Sequence, residues 1–236
     1  MDGFKGKVVL ITGGASGMGK ILARRLSEYE AKIAIFDVNE DGIADTVRDT
    51  KNAAGFKCDV ASAEAVKDSV KKVGETLGPV DLLITAAALM PSHKVVDETS
   101  ESMERLFNIN YFGTYHMIEA ILPGMRIRNA GRIIAFGSVA GYAPVPNMAA
   151  YCATKAAINS LIEILQNELH HEGSEVRAQL ICPPAVDTPL VDQTLATDSP
   201  GSIKHAKRSG RLSNPEKIVD SIIDGIKKDK PIIFPG

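Results

Sequence analysis

The chain has 236 residues, 44% hydrophobic and 24% charged, with a formal net charge of −2. That length and balance predict one globular domain and exclude a disordered chain or a basic surface for nucleic acid. No stretch nears the ~18 uninterrupted apolar residues of a membrane span, and the opening residues lack a signal-peptide pattern. Cys58, Cys152 and Cys182 are scattered and odd in number, so reduced core thiols and a cytoplasmic location are expected. His93, His116, His170 and His171 show no metal-ligand spacing, and no metal site is predicted.

The apolar run 8–11 predicts a buried parallel strand, followed by a glycine-rich turn and the opening of a helix. Met18, Ile21, Leu22, Leu26 and Tyr29 recur at helical spacing, and 32–37 is the next strand, completing a βαβ unit. A polar helix is expected over 40–51 and a third strand over 56–60. Ser62 caps a helix whose inner face is Ala65, Val66, Val70, Val73 and Leu77, and 80–85 is a fourth strand. After a polar loop, 91–99, comes a helical region over 100–129, which Pro123 and Gly124 are expected to kink or end. A fifth strand (131–137), a proline-bearing loop (141–147), a helix (150–171) and a sixth strand (176–182) follow. Residues 183–213 have no clean period and are expected to form a substrate lid. Asn214 and Pro215 read as cap and first position of a helix to about 228, before a last strand over 232–234. The prediction is α/β: a Rossmann-like doubly wound parallel sheet of about seven strands, helices on both faces, one domain over 1–236.

In such a fold a ligand lies beyond the carboxyl ends of the strands. The turn after the first strand reads Thr12-Gly13-xxx-Gly17-x-Gly19, which brings backbone and a helix N-terminus close to a pyrophosphate. Asp37 ends the second strand, where a carboxylate accepts hydrogen bonds from an adenosine ribose and repels a 2′-phosphate; the alternative is a strand-end turn residue. Neither Val38, Asn39 and Glu40 nor Gly14, Ala15 and Ser16 supplies a cation for that phosphate, so NAD(H) is favoured over NADP(H). Asp59 carries the same two readings.

Tyr151 and Lys155 lie one helical turn apart and share a face. A phenol with a pKa of about 10 is a poor proton donor or acceptor near neutrality, and a neighbouring ammonium is expected to lower it. Ser138, at the end of the fifth strand, supplies a hydrogen bond to a substrate oxygen. Taken alone, Tyr-xxx-Lys is also what a surface tyrosine beside a surface lysine looks like.

The glycine turn, Asp59, Asn110, Ser138, Tyr151 and Lys155, in this order, resemble the short-chain dehydrogenase/reductase family of the classical type. The resemblance implies that Asn110, Ser138, Tyr151 and Lys155 form a catalytic tetrad. Tyr151 would be the acid/base, Ser138 would polarise the substrate oxygen, Lys155 would tune Tyr151 and hold the ribose, and Asn110 would position a relay water. It also implies cofactor contacts at Gly13, Ser16, Gly17, Met18, Gly19, Asp37, Asp59, Val60, Ala87, Tyr151, Lys155, Val186 and Thr188. Two departures stand out. Thr85-Ala86-Ala87-Ala88 replaces the family's Asn-Asn-Ala-Gly, and Pro183-Pro184 its Pro-Gly.

The candidate substrate walls are Leu89, Met90, Tyr142, Val145 and Met148, moderately apolar, with the 183–213 lid. The lid's Lys204, His205, Lys207, Arg208 and Arg211 read as a solvated face in preference to a seat for an acidic group. Ala156, Ile158, Leu161, Ile162, Leu165 and Leu169 give the 150–171 helix surplus apolar surface, and the resemblance implies a homodimer or homotetramer through it and the helix after Asn110. The expected activity is hydride transfer between NAD(H) and a small-molecule secondary alcohol or ketone. The alternatives are a non-catalytic NAD(H)-binding sensor or scaffold, and a reductase of lipid-like or acyl ketones, whose chains continue past an ending like 232–236.

Overall fold

The computed structural model describes residues 3–236; Met1 and Asp2, the first positions of the predicted domain, lie outside the described residues. Seven parallel strands form one sheet in the order β3-β2-β1-β4-β5-β6-β7. They are β1 (Val8–Thr12), β2 (Lys32–Asp37), β3 (Ala53–Lys57), β4 (Leu82–Thr85), β5 (Arg132–Phe136), β6 (Arg177–Ile181) and β7 (Ile232–Ile233). Every β1 residue is buried because successive side chains alternate between two covered faces. Val9 and Ile11 join the core under α1 (Gly17–Ser27) and α9 (Pro215–Lys227), with Leu22, Leu26, Ile222 and Ile226. Val8 and Leu10 join the opposite core with Met117 and Ile121 of α5 (Gly113–Arg128) and Ile158 and Ile162 of α6 (Ala149–His171). The chain leaves β1 toward β2 and β3 and returns to β4 on the other side of β1. The strand order therefore reverses between β1 and β4, where an open α/β sheet presents a crevice.

The expected strand at 56–60 is observed at Ala53–Lys57. Register sets this: Ile33 pairs with Ala53 and Asp37 with Lys57, so β2 and β3 end level, and Cys58, Asp59 and Val60 pass beyond the sheet's carboxyl edge. Small residues suit the strand because α2 (Glu40–Arg48) lies close: a Cβ on Gly55 would sit 2.1 Å from Ile43 Cγ2. The caps at Ser62 and Asn214 are as expected, with Ser62 Oγ accepting from Ala65 N at 3.2 Å and Asn214 Oδ1 from Lys217 N at 3.2 Å. Ser62 opens α3 (Ala63–Thr76).

Pro123 does not end its helix, since α5 runs through it to Arg128 and closes on Asn129 at φ 45°. Pro123 and Glu119 are both exposed, so the carbonyl that the proline leaves without a donor faces water. The irregularity falls earlier, where α4 (Ser100–Leu106) passes into a π-helical segment, Phe107–Phe112, that carries Asn110. Residues 183–213 are more regular than expected and contain α7 (Pro189–Leu195) and α8 (Gly201–Arg208). The ends of this excursion are joined, with Asp187 N donating to Ser213 O and Ser213 N to Ala185 O, both at 3.0 Å. The apolar surface of α6 is largely used inside the molecule, because Ile158, Ile162, Leu165 and Leu169 are all buried.

Candidate active site

The turn after β1 packs against the exit of β4. Gly13 has φ 66°, and a Cβ on it would lie 2.8 Å from Ala87 N, so this position requires glycine twice over. Gly19 lies in the first turn of α1, and a Cβ there would meet Gly13 O at 2.2 Å. Thr12 Oγ1 accepts from Ala86 N at 3.1 Å and Ala87 N at 3.2 Å, binding the two strand exits. These are backbone bonds, which the alanines supply. Ala88 is not among the residues at positive φ, so this loop follows a path that alanine adopts without strain.

Asp37 closes the turn from the side. One carboxylate oxygen accepts from Ala15 N at 3.1 Å and the other from Asn39 N at 3.1 Å. Its role as a strand-end turn residue is thus real, and each oxygen retains a further lone pair. Ser16 caps α1 without a side-chain cap bond, and no acidic residue occupies the first turn. The free N–H groups and the positive end of that helix are left for an anion.

A groove of about 340 Å³ runs from this turn across the strand ends. It brings together Gly13, Ser16, Gly17, Met18, Gly19, Asp37, Asp59, Val60, Ala87, Leu89, Tyr151, Lys155 and Thr188 of the predicted residues. Acidic oxygens at one end, an uncompensated helix N-terminus in the middle, and a phenol and amine at the other end fit an elongated group with anionic phosphates and sugar hydroxyls. Val186 does not line the groove; it is 4% exposed and its side chain joins the core.

At the far end α6 presents Tyr151, Lys155 and Asn159 on one buried stripe. Lys155 Nζ donates to Phe136 O at 2.6 Å and lies 5.7 Å from the centre of the Tyr151 ring. Burial brings the Lys155 pKa down from 10.5 to about 8 and pushes Tyr151 up from 10.0 to about 12. The expected depression of the tyrosine by Lys155 is not what the site shows: burial dominates, and the Ser138 hydroxyl is the group that pulls the phenol the other way. Ser138 Oγ accepts from Ala140 N at 3.0 Å at the start of a short 3₁₀ turn, Val139–Gly141, and Asn159 Nδ2 donates to Ser138 O at 3.3 Å. Asn110 is fully buried. Its amide meets Leu89 N at 2.8 Å, Leu89 O at 3.0 Å and Thr154 Oγ1 at 3.1 Å, tying the loop after β4 to α6.

Four expected substrate contacts are absent from the groove wall. Met90, Val145 and Met148 belong to a packed apolar cluster around Tyr151, where methionines fill gaps. Tyr142 turns outward, bonded to Glu163, with its ring 6.4 Å from that of Phe234. In their place the groove wall includes Phe136, Arg105, Ile109, Leu190 and Gln193. Nothing local marks Arg105 or Gln193, which reach the groove from α4 and α7.

Comparison with known proteins agrees with this geometry. The profile of the short chain dehydrogenase family matches residues 7–199. The chain is 32% identical over 229 residues to 2-(S)-hydroxypropyl-CoM dehydrogenase 3 of Xanthobacter autotrophicus, covering 93% of this chain and 89% of that protein. It is 29% identical to estradiol 17-beta-dehydrogenase 11 of Mus musculus, covering 97% and 75%. Among solved structures, a short chain dehydrogenase/reductase of Burkholderia phymatum in complex with NAD superposes with a TM-score of 0.90 at 28% identity, covering 99% of this chain and 90% of that one. NAD+-bound xylitol dehydrogenase gives 0.86 at 26% identity, covering 98% of each. A doubly wound sheet, a TGxxxGxG turn against the strand exits and a profile match over most of the length converge, and the chain belongs to the classical short-chain dehydrogenase/reductase family of oxidoreductases.

Proposed function

We propose that this protein is an NAD(H)-dependent oxidoreductase acting between a secondary alcohol and its ketone, with Tyr151 as the acid/base. The observation that carries the reading is the convergence of Tyr151 and Lys155, beside Ser138, at one end of a groove whose middle holds the N-terminus of α1 and whose other end holds Asp37. A bound nicotinamide supplies or accepts the hydride. The protein's own residues manage the rest. Ser138 Oγ orients and polarises the substrate oxygen. Tyr151 Oη, protonated at neutrality, donates to that oxygen in the reducing direction. Lys155, on the Phe136 carbonyl, offers its remaining donors to a ribose. Asn110, locked on Leu89 and Thr154, holds the groove floor against α6.

Asp37 supports NAD(H) over NADP(H), because its carboxylate is fixed beside the turn where a 2′-phosphate would sit. The reading includes a substrate lid at 183–213, a homo-oligomer and a cytoplasmic location. No described helix is long and apolar enough to cross a membrane. Tyr151→Phe tests the mechanism: turnover should fall ~10²–10⁴-fold, the range of a lost general acid, with NADH binding by fluorescence preserved. Near-full turnover in that variant would remove Tyr151 from the mechanism. A variant and wild type that both bind NADH, with neither oxidising any secondary alcohol in a broad panel, would leave the sensor reading instead.

A further inference from the structure

The wall facing the groove beside Tyr151 is mostly apolar, formed by Leu89, Pro183 and Leu190, with one uncharged polar side chain from α7, Gln193. The Gln193 amide is not free to turn. Its Oε1 accepts from Met90 N at 3.0 Å, and a backbone N–H is a donor only, so the oxygen must face Met90. The same residue is clamped from its other side, since Thr194 Oγ1 donates to Met90 O at 2.5 Å. Both N–H bonds of Gln193 Nε2 therefore lie at the opposite end of a pinned amide, and among the described residues none accepts from them. Binding sites of this kind are apolar pockets in which a few placed polar groups fix the ligand's orientation.

We infer that Gln193 is a substrate-positioning residue whose Nε2 donates to a second oxygen of the substrate, and that the substrate is an oxygenated one such as a diol, polyol or hydroxy acid. This deepens the oxidoreductase reading and rests on it. The second oxygen is not the reacting one, which belongs to Tyr151 and Ser138. It fixes which face and which carbon the substrate presents, so Gln193 acts on binding and orientation, not on proton transfer.

The test uses the complex of the protein with NADH, in which an alcohol binds without reacting, read by the change in NADH fluorescence. The probes are 2-butanol, 2,3-butanediol and 1,3-butanediol, which differ by one hydroxyl. One of the diols should bind about 3–10-fold more tightly than 2-butanol, the worth of one added hydrogen bond. Gln193→Leu should reduce that ratio to near one while NADH itself binds with unchanged affinity. Gln193→Glu keeps an oxygen for Met90 N, and its carboxylate can accept from a diol hydroxyl, so it should retain a diol preference. Equal binding of all three alcohols by wild type, or a diol preference that survives Gln193→Leu, would overturn the inference. Wild type that fails to bind NADH would overturn the oxidoreductase reading and this one with it.

Discussion

Lys155 is 3% exposed, and its ammonium is held by one carbonyl oxygen, which does not repay the loss of water. Its pKa of about 8 lies below the ordinary 10.5. Between those values the unfolded chain binds a proton that the folded chain does not, so stability rises with pH across that window. Below about pH 8 both states carry the proton, and the folded state bears the full cost of a buried charge. Wild type should therefore gain stability relative to Lys155→Met as pH rises from 7 to 10, read by urea unfolding at both values. Parallel pH dependences for the two proteins would show that Lys155 is not the group responsible. Tyr151 sets the upper limit of the experiment. Its phenol ionises near pH 10 when unfolded and near pH 12 when folded, so above pH 10 it works in the opposite direction.

At the scale of elements, α7 and the turn that follows it are joined to the loop after β4 by more than the Gln193 amide. Ser92 N donates to Thr197 Oγ1 at 2.9 Å, Ser92 Oγ to Thr194 O at 3.3 Å, and Asp198 N to Ser92 O at 3.0 Å. With the two Met90 bonds these form a latch over the end of the groove nearest Tyr151. Thr194→Val keeps the shape of a fully buried side chain and removes the donor to Met90 O. Leaving that carbonyl unsatisfied costs ~1–3 kcal/mol locally. The amides of α7 should then exchange with solvent ~5–150-fold faster, each 1.4 kcal/mol being a factor of ten, while those of β1 keep their protection. Exchange that rises evenly across the molecule, or not at all in α7, would rule the latch out.

The same elements show what was legible beforehand. The TGxxxGxG turn, the Ser62 and Asn214 caps and the Tyr151–Lys155 stripe are short motifs of residues near one another in the chain, and all are readable. The start of β3 depends on pairing with β2 and on the room that Gly55 makes for Ile43, which no local pattern carries. Met90, Val145 and Met148 have the composition of a pocket wall, and only packing shows that they face each other instead. Gln193 was invisible because its importance lies in a bond to Met90, a residue distant in the chain.

For the whole molecule, the net charge of −2 opposes association only weakly. Isolated surface hydrophobics are ordinary, but Phe112 and Tyr115, each 43% exposed, stand one turn apart at the start of α5, and Ile127 follows near its end at 87%. The Phe112 ring also stacks on His116, at 6.2 Å and 26°, which gives the exposed side of α5 an ordered apolar surface. On α6, by contrast, Ile164 is the one large apolar side chain left more than half exposed among the described residues, so α5 is the stronger face for a partner copy. Burying such a patch within an interface of about 800 Å² per partner is the scale of a stable dimer. Light scattering at micromolar concentration should give at least twice the monomer mass. Tyr115→Glu should shift that toward monomer by placing two like charges across a two-fold axis; Ile164→Glu should shift it less. A monomeric wild type would end the oligomer proposal, and a greater loss with Ile164→Glu would move the interface to α6.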